Sequence, residues 1–404
     1  MSTNGGGLGV TIAGGNGPQG SFNEIEGMGG NDTITGNGNT RISYQHASAA
    51  VTVDLSNHTA HGTAAGDIAN VGTDTILGII AQVRGSNYDD TLIGTANGNS
   101  YAETFEGWGG NDYIDGNGGF DRVRYDNQST GALGITVNLG AGTVTGRDAA
   151  ATAVVGTDML RSIESVRGTN AADVYDASTF TASSTNGGGD QGTFNEFEGM
   201  GGDDTIIGNG NTRIAYVNAT GSVTVSIAAG TADGDASVGH DTFSGVTTVR
   251  GSSFNDTITG SNNAANTTEN FEGWGGDDFI NGLGGFDRAR YDNNITGNLG
   301  VPLTLGISIN MASGVVTGRD DYAKFVYGQD TLRQIESVRG SAADDVYVAT
   351  GYTATGFATP SLNTSDSGGG ANGFNEFEGV GGNDTVTGNG NTRITYVGAL
   401  DGVM

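Results

Sequence analysis

Eleven aspartates in this chain share one register, with a glycine five residues before and an aliphatic or aromatic residue two residues after. They are Asp32, Asp90, Asp112, Asp121, Asp173, Asp204, Asp256, Asp278, Asp287, Asp345 and Asp384. Glycine lets a turn enter conformations closed to residues with a side chain, and such turns point carbonyl oxygens inward. The aspartate adds a hard anionic oxygen, and carbonyls gathered with carboxylates are the ligand set of calcium. A lone glycine and aspartate at this spacing is an ordinary turn. Eleven copies, in a chain with 45 acidic against 16 basic residues and a formal net charge of -29, favour the metal. The expected cofactor is Ca2+, several ions per chain.

Spacing also says which carboxylates should stack. A unit of the same register at 102–106 fits between Asp90 and Asp112, placing those two on one side of a coil and Glu103 with Asp121 on the other. Asp256 with Asp278 and Glu269 with Asp287 repeat the arrangement. The turns between them are supplied by Gly107, Gly109, Gly116 and Gly118 in the first set, and by Gly273, Gly275, Gly282 and Gly284 in the second. Asp173 with Asp204, and Asp345 with Asp384, form further pairs interrupted by insertions at 179–192 and 351–373, which should loop out. Asp32 carries the register without a paired carboxylate. On the opposite side of those modules stand Asn23, Asn195 and Asn375 with Thr40, Thr212 and Thr392, where no ion is expected.

The elements that must position these residues repeat on a larger scale. One phrase, FNE(I/F)EGxGG(N/D)DT(I/V)xGNGNTRIxY, occurs at 22–44, 194–216 and 374–396. A second, FEGWGG(N/D)DxIxGxGGFDRxRYDN, occurs at 105–127 and 271–293. The chain is therefore one elongated array: a partial module at 1–21, then modules 22–104, 105–193, 194–270 and 271–373, and a partial module at 374–404. Residues 2–7 repeat 184–189, so the array is expected to be a piece of a longer one. The aliphatic residue after each aspartate predicts a very short strand pointing into a core. Alternating stretches at 51–55, 135–139, 223–227 and 307–311 predict half-buried strands, followed by further strands at Asp74, Asp158, Asp241 and Asp330. These strands are expected to continue the solenoid, and no segment has a sustained helical period.

The tandem Gly107-Trp-Gly-Gly-Asn-Asp-Tyr-Ile-Asp115 and Gly116-Asn-Gly-Gly-Phe-Asp-Arg-Val-Arg124 resembles the RTX, or haemolysin-type calcium-binding, repeat family. The resemblance implies an all-β fold, a right-handed parallel β-roll solenoid of nonapeptide repeats with calcium held between turns two nonapeptides apart. It also implies type I secretion, folding outside the cell, and an extracellular or bacterial cell-surface location.

Composition narrows the function further. Gly supplies 75 of 404 residues, Pro 3 and Cys none, which excludes collagen, disulfides and zinc–thiolate sites. The acidic surface repels nucleic acid, and no apolar run is long enough to span a membrane. Four histidines recur at no common module position, no G-x-S-x-G elbow occurs, and near-identical modules are a poor setting for one distinctive catalytic centre. The chain is expected not to be an enzyme but a secreted structural segment for adhesion, spacing or assembly, with cell-surface polysaccharide or like chains as partners and calcium driving its folding. The alternative is the carrier region of a secreted protease, lipase or polysaccharide epimerase or lyase whose catalytic domain lies elsewhere. Two readings stay open for Arg122, Arg124, Arg288 and Arg290: bridging carboxylates of neighbouring coils, or solvated charge relief. Trp108 and Trp274 either pack against the next coil or bind sugar.

Overall fold

The computed structural model describes residues 10–11, 22–96, 102–187, 191–263, 267–292, 303–353 and 373–397. The repeat at 2–7 and most of the 351–373 insertion lie outside the described residues. The fold is an all-β solenoid of short, mainly parallel strands. It divides into two compact units, Met1–Thr212 and Arg213–Met404.

In the first unit the strands stack in two columns. One is parallel throughout: Asn23–Ile25, Thr40–Ser43, Gln82–Arg84, Thr104–Glu106, Arg122–Arg124, Ser165–Arg167 and Asn195–Glu198 follow each other in register. The other contains Thr91–Ile93, Tyr113–Asp115 and Thr157–Arg161. Alternation along each strand turns one residue inward. Val83, Phe105, Val123 and Val166 therefore line one column and Leu92, Ile114 and Leu160 the other, all buried. Each such side chain contributes about 1.5–3 kcal/mol relative to exposure. The second unit repeats the scheme, with Ile258, Ile280 and Leu332 in one column and Val249, Phe271, Ala289, Val338 and Phe377 in the other.

The alternating stretches are strands that continue the solenoid, each pairing in parallel with a strand of the next coil, such as Val51–Asp54 with Thr91–Ile93 and Leu305–Asn310 with Asp344–Val348, and each also opens a hairpin. Val51–Asp54 runs antiparallel to Thr59–Gly62, which runs antiparallel to Thr73–Ile79. The same excursion occurs at Leu133–Asn138, Thr143–Gly146 and Thr157–Arg161, and at Leu305–Asn310, Val315–Gly318 and Gln329–Arg333. A tight turn reverses the chain: Asp54 accepts hydrogen bonds from Ser56 Oγ and from the N–H and side-chain amide of Asn57, and His58 has φ of 61°. Alternation identifies a half-buried strand, while the direction of its partner is fixed by the turn.

Helix among the described residues is confined to two short segments, α1 (Ala149–Val155) and α2 (Asp321–Tyr327), seven residues each, in keeping with an essentially helix-free solenoid. Asp148 and Asp320 cap their N-termini, accepting from the Ala151 and Ala323 N–H groups, and Gly156 and Gly328 end them at positive φ. Two turns of helix are too short to declare a hydrophobic period. Of the expected loop at 179–192, residues 179–187 form turns without a strand.

Candidate metal centre

The aspartates form hydrogen-bonded ladders through the stacked turns. In the first unit the Val51 N–H donates to Asp90 Oδ1 at 2.8 Å, the Asp90 N–H to Asp112 Oδ1 at 2.8 Å, and the Asp112 N–H to Asp158 Oδ1 at 3.0 Å. Across the coil the Glu103 N–H donates to Asp121 Oδ1 at 2.9 Å and the Asp121 N–H to Glu164 Oε2 at 2.9 Å. Asp173 meets Asp204 in the same way at 2.8 Å, and Asp32 meets Asp74 at 2.8 Å. In the second unit Asp256 meets Asp278 at 2.8 Å, Asp278 meets Asp330 at 3.0 Å, and Asp345 meets Asp384 at 2.9 Å. Glu269 lies opposite Asp287 in strand register. All six pairs expected from spacing are thus neighbours. The neutral side also falls in place, with Asn23 opposite Thr40 and Asn375 opposite Thr392, and Thr212 Oγ1 donating to Asn195 Oδ1 at 2.9 Å.

Within a pair the two carboxylates do different work. The first closes its own turn on a serine or threonine. Asp173 Oδ2 accepts the Thr169 N–H at 2.7 Å, Asp256 Oδ2 the Ser252 N–H at 2.6 Å, and Asp345 Oδ2 the Ser341 N–H at 2.8 Å. Asp90 is held likewise by Ser86, Glu103 by Thr95 and Glu269 by Ser261. The second carboxylate lies over a turn that has methionine, tryptophan, asparagine, leucine or valine in place of that hydroxyl residue. Oδ2 of Asp32, Asp112, Asp121 and Asp278 is buried there with no hydrogen-bond partner. A Cβ on Gly27 would fall 2.5 Å from Asp32 Oδ2, and one on Gly116 2.7 Å from Asp121 Oδ2; Gly107 and Gly273 lie closer still to their aspartates. Only glycine lets the turn close over the carboxylate. Gly109 and Gly275 have a different task, since they face the carbonyls of Val154 in α1 and Val326 in α2. Gly118 pairs with Ala96, and Gly284 with Asn262.

Burial and stacked charge act on the protons. Burial pushes Asp90 and Asp256 up to about 6 and Asp345 up to about 7. Asp121 rises to about 8 through burial, with the charges of Glu103 and Glu164 adding. Asp112 and Asp278 are raised by burial and then by the facing carboxylates of Asp158 and Asp330. Among the described residues no three His, Cys, Asp or Glu side chains converge to hold a metal by themselves. A cation here would use two carboxylates, turn carbonyls and water, a set that suits calcium. Four buried carboxylate oxygens without partners, each above a glycine turn, fit that requirement.

Spacing missed the third rung of each ladder. Asp74, Asp158 and Asp330 stand on the returning strand of the hairpin, without the glycine five residues before, and Glu164 and Glu336 precede a Ser-Val-Arg-Gly tetrapeptide. Their recurrence at one place in each module was the available signal. Tyr44, Tyr125, Tyr216 and Tyr291, each near the end of a repeat phrase, donate to Asp74, Asp158, Asp241 and Asp330 at 2.7–3.1 Å.

On the outer face arginines bridge carboxylates of neighbouring coils. Glu106 receives Arg84 Nε at 2.9 Å, Arg41 Nη1 at 3.2 Å and Arg124 Nη1 at 3.5 Å. Glu272 receives Arg250 Nε, Arg213 Nη1 and Arg290 Nη1, and Arg122 and Arg288 reach Glu196 and Glu376. Trp108 and Trp274 are half-buried and carry the guanidinium groups of Arg84 and Arg250 at 5.5 and 4.9 Å from the ring centres, so both pack on the neighbouring coil. His46 and His240 are exposed beside Glu26 and Asp233. No helix among the described residues is long and apolar enough to cross a membrane. No protein-family model matches the chain, and no curated protein aligns with it.

Proposed function

We propose that this chain is a secreted, calcium-loaded repeat segment of the RTX kind, whose task is mechanical: spacing, adhesion or assembly at a bacterial surface, with calcium driving its folding. The observation that carries this reading is the set of buried, unpartnered Oδ2 atoms at Asp32, Asp112, Asp121 and Asp278. An ionised carboxylate left without a partner in the interior costs several kcal/mol, on the order of the whole stability of a domain when repeated. A cation shared between stacked turns removes that cost. The cost also makes folding conditional on the ion, because the metal-free chain must either hold protons on these groups or unfold.

Far-ultraviolet circular dichroism of calcium-stripped protein near neutral pH tests this. Titrated calcium is expected to produce a transition to β-structure that magnesium at the same concentration does not. A full β-signal in excess chelator, unchanged by calcium, overturns the reading.

A further inference from the structure

Three of the unpartnered carboxylate oxygens share a neighbour that the nonapeptide register does not contain. Asp32, Asp112 and Asp278 each sit on a glycine-rich turn whose next neighbour in the stack is a hairpin, and each donates its N–H to the aspartate on the returning strand: Asp74, Asp158 and Asp330, at 2.8, 3.0 and 3.0 Å. All six side chains are buried. The joint is built alike in the three modules. The returning strand enters through Gly72, Gly156 or Gly328, at φ of 72°, 74° and 64°. A Cβ at any of the three would collide with the carbonyl oxygen of Gly30, Gly110 or Gly276 on the glycine-rich turn. The next N–H is held by the side-chain oxygen of Asn31, Asn111 or Asp277 at 2.8–2.9 Å. Each joint thus pairs carboxylates from two coils and sets a turn carbonyl against the glycine of the returning strand, while the unpartnered oxygen of the first carboxylate lies over its own turn glycine, Gly27, Gly107 or Gly273.

We propose that Asp32 with Asp74, Asp112 with Asp158, and Asp278 with Asp330 each hold a hard divalent cation at the joint between a glycine-rich turn and the hairpin that follows. This rests on the calcium reading above and extends it to carboxylates outside the nonapeptide repeat. It gives Asp32, which has no paired carboxylate in that repeat, a partner. It also gives the hairpin a role: the returning strand is pinned to the turn by the ion as well as by the main-chain N–H. The tyrosine hydroxyl on Asp74, Asp158 or Asp330 holds that carboxylate in one orientation. Two carboxylates and a carbonyl leave the remaining positions of a calcium shell to water.

The first module separates the possibilities, because there the nonapeptide repeat gives Asp32 no paired carboxylate and Asp74 is the one it meets. Calcium bound to the whole protein is counted by native mass spectrometry, and the rise of the thermal midpoint with calcium is measured in parallel. Asp32→Asn, Asp74→Asn and the double variant are each expected to bind one ion fewer than the wild type, because all three remove the same ion. An undiminished count in Asp74→Asn, or a loss of two ions in the double variant, overturns the joint site and leaves the calcium reading standing. A wild type that binds no calcium overturns both. Since Asp74 also closes a buried hydrogen bond, Asp32→Asn guards against simple misfolding. The Asp32 Oδ2 atom that it replaces bonds to nothing, so the calcium-free midpoint, read at pH 5 where the raised carboxyls hold their protons, is expected not to fall below wild type while the calcium-induced rise shrinks. An unchanged calcium-induced rise in that variant overturns the site.

Discussion

The Tyr125 hydroxyl donates to Asp158 Oδ2 at 2.7 Å, both groups buried, and so joins the end of a repeat phrase to the returning strand of the hairpin that follows. Tyr125→Phe removes the donor and leaves a carboxylate oxygen buried without it. A buried acceptor stripped of its partner costs about 1–3 kcal/mol. Chemical denaturation in saturating calcium is expected to show a loss of that size, while Tyr88→Phe, at an exposed turn, shows none. Equal midpoints for the two variants would mean that the Tyr125 bond contributes nothing net.

Protonation predicts how the calcium-free chain responds to pH. Burial raises Asp74, Asp90 and Asp256 from 3.8 to about 6, Asp345 to about 7 and Asp121 to about 8. For an acid raised on folding, the folded state binds the extra proton, so the stabilisation is full below the unfolded value near 4 and is lost as pH climbs through 6 to 8. One unit is about 1.4 kcal/mol. Calcium-stripped protein is therefore expected to be folded near pH 5, where these groups hold their protons, and to lose its β-structure as the pH climbs to 8. Calcium at pH 8 should restore it and release protons, which calorimetry in two buffers of different ionisation enthalpy measures. A midpoint that rises from pH 5 to pH 8 without calcium contradicts the assignment of these groups as buried acids.

Much of this was legible in the residues, and the rest was hidden for identifiable reasons. Asp90 and Asp112 are 22 residues apart with a complete coil between them, so constant spacing sufficed to stack them. Tyr125 and Asp158 are separated by 33 residues that include a hairpin and α1, and no fixed period connects them. The strand at Val51–Asp54 was visible from its alternation, whereas its antiparallel partner depended on the Asp54 turn. Helices α1 and α2 were signalled only by an Arg-Asp pair before and a glycine after, since seven residues cannot show an apolar face. The division of labour within a carboxylate pair depended on whether serine or threonine follows the turn glycine, a one-residue difference that matters only once the turn is closed in three dimensions.

Glycine at 116 is predicted to be indispensable. A Cβ there would stand 2.4 Å from the Ser162 carbonyl oxygen and 2.7 Å from Asp121 Oδ2, with main chain on one side and the candidate ligand on the other. Gly116→Ala must displace one of them, at a cost of about 1–3 kcal/mol, and should weaken calcium binding as well. Gly62→Ala is the comparison, because its nearest contact is the Ala69 methyl at 3.0 Å and no carboxylate is within reach. If both alanines lower the midpoint equally and leave calcium affinity alone, the close approach at Gly116 is merely structural.

Glu272 is expected to be the most sensitive position on the outer face of the second unit. It is buried and takes three guanidinium groups, from Arg213 and Arg290 at 3.4 Å each and from Arg250 at 2.5 Å. Glu272→Gln keeps the shape but removes the charge that compensates three partly buried cations. Breaking a buried pair from one side costs about 3–5 kcal/mol because the remaining charge is left uncompensated. The arginines are largely but not wholly covered, so water relieves part of the cost and about 3 kcal/mol is the expected loss. Raising salt separates this from a packing effect. The wild-type pairs are shielded and should respond weakly, whereas the variant, with excess positive charge, should recover stability as anions screen it. By contrast His46→Ala, which removes an exposed contact to Glu26, should change the midpoint by less than about 1 kcal/mol equivalent. A Glu272→Gln variant as stable as wild type at low salt would show that the arginines are held by the strands alone, and that the charge ladder does not hold the coils together.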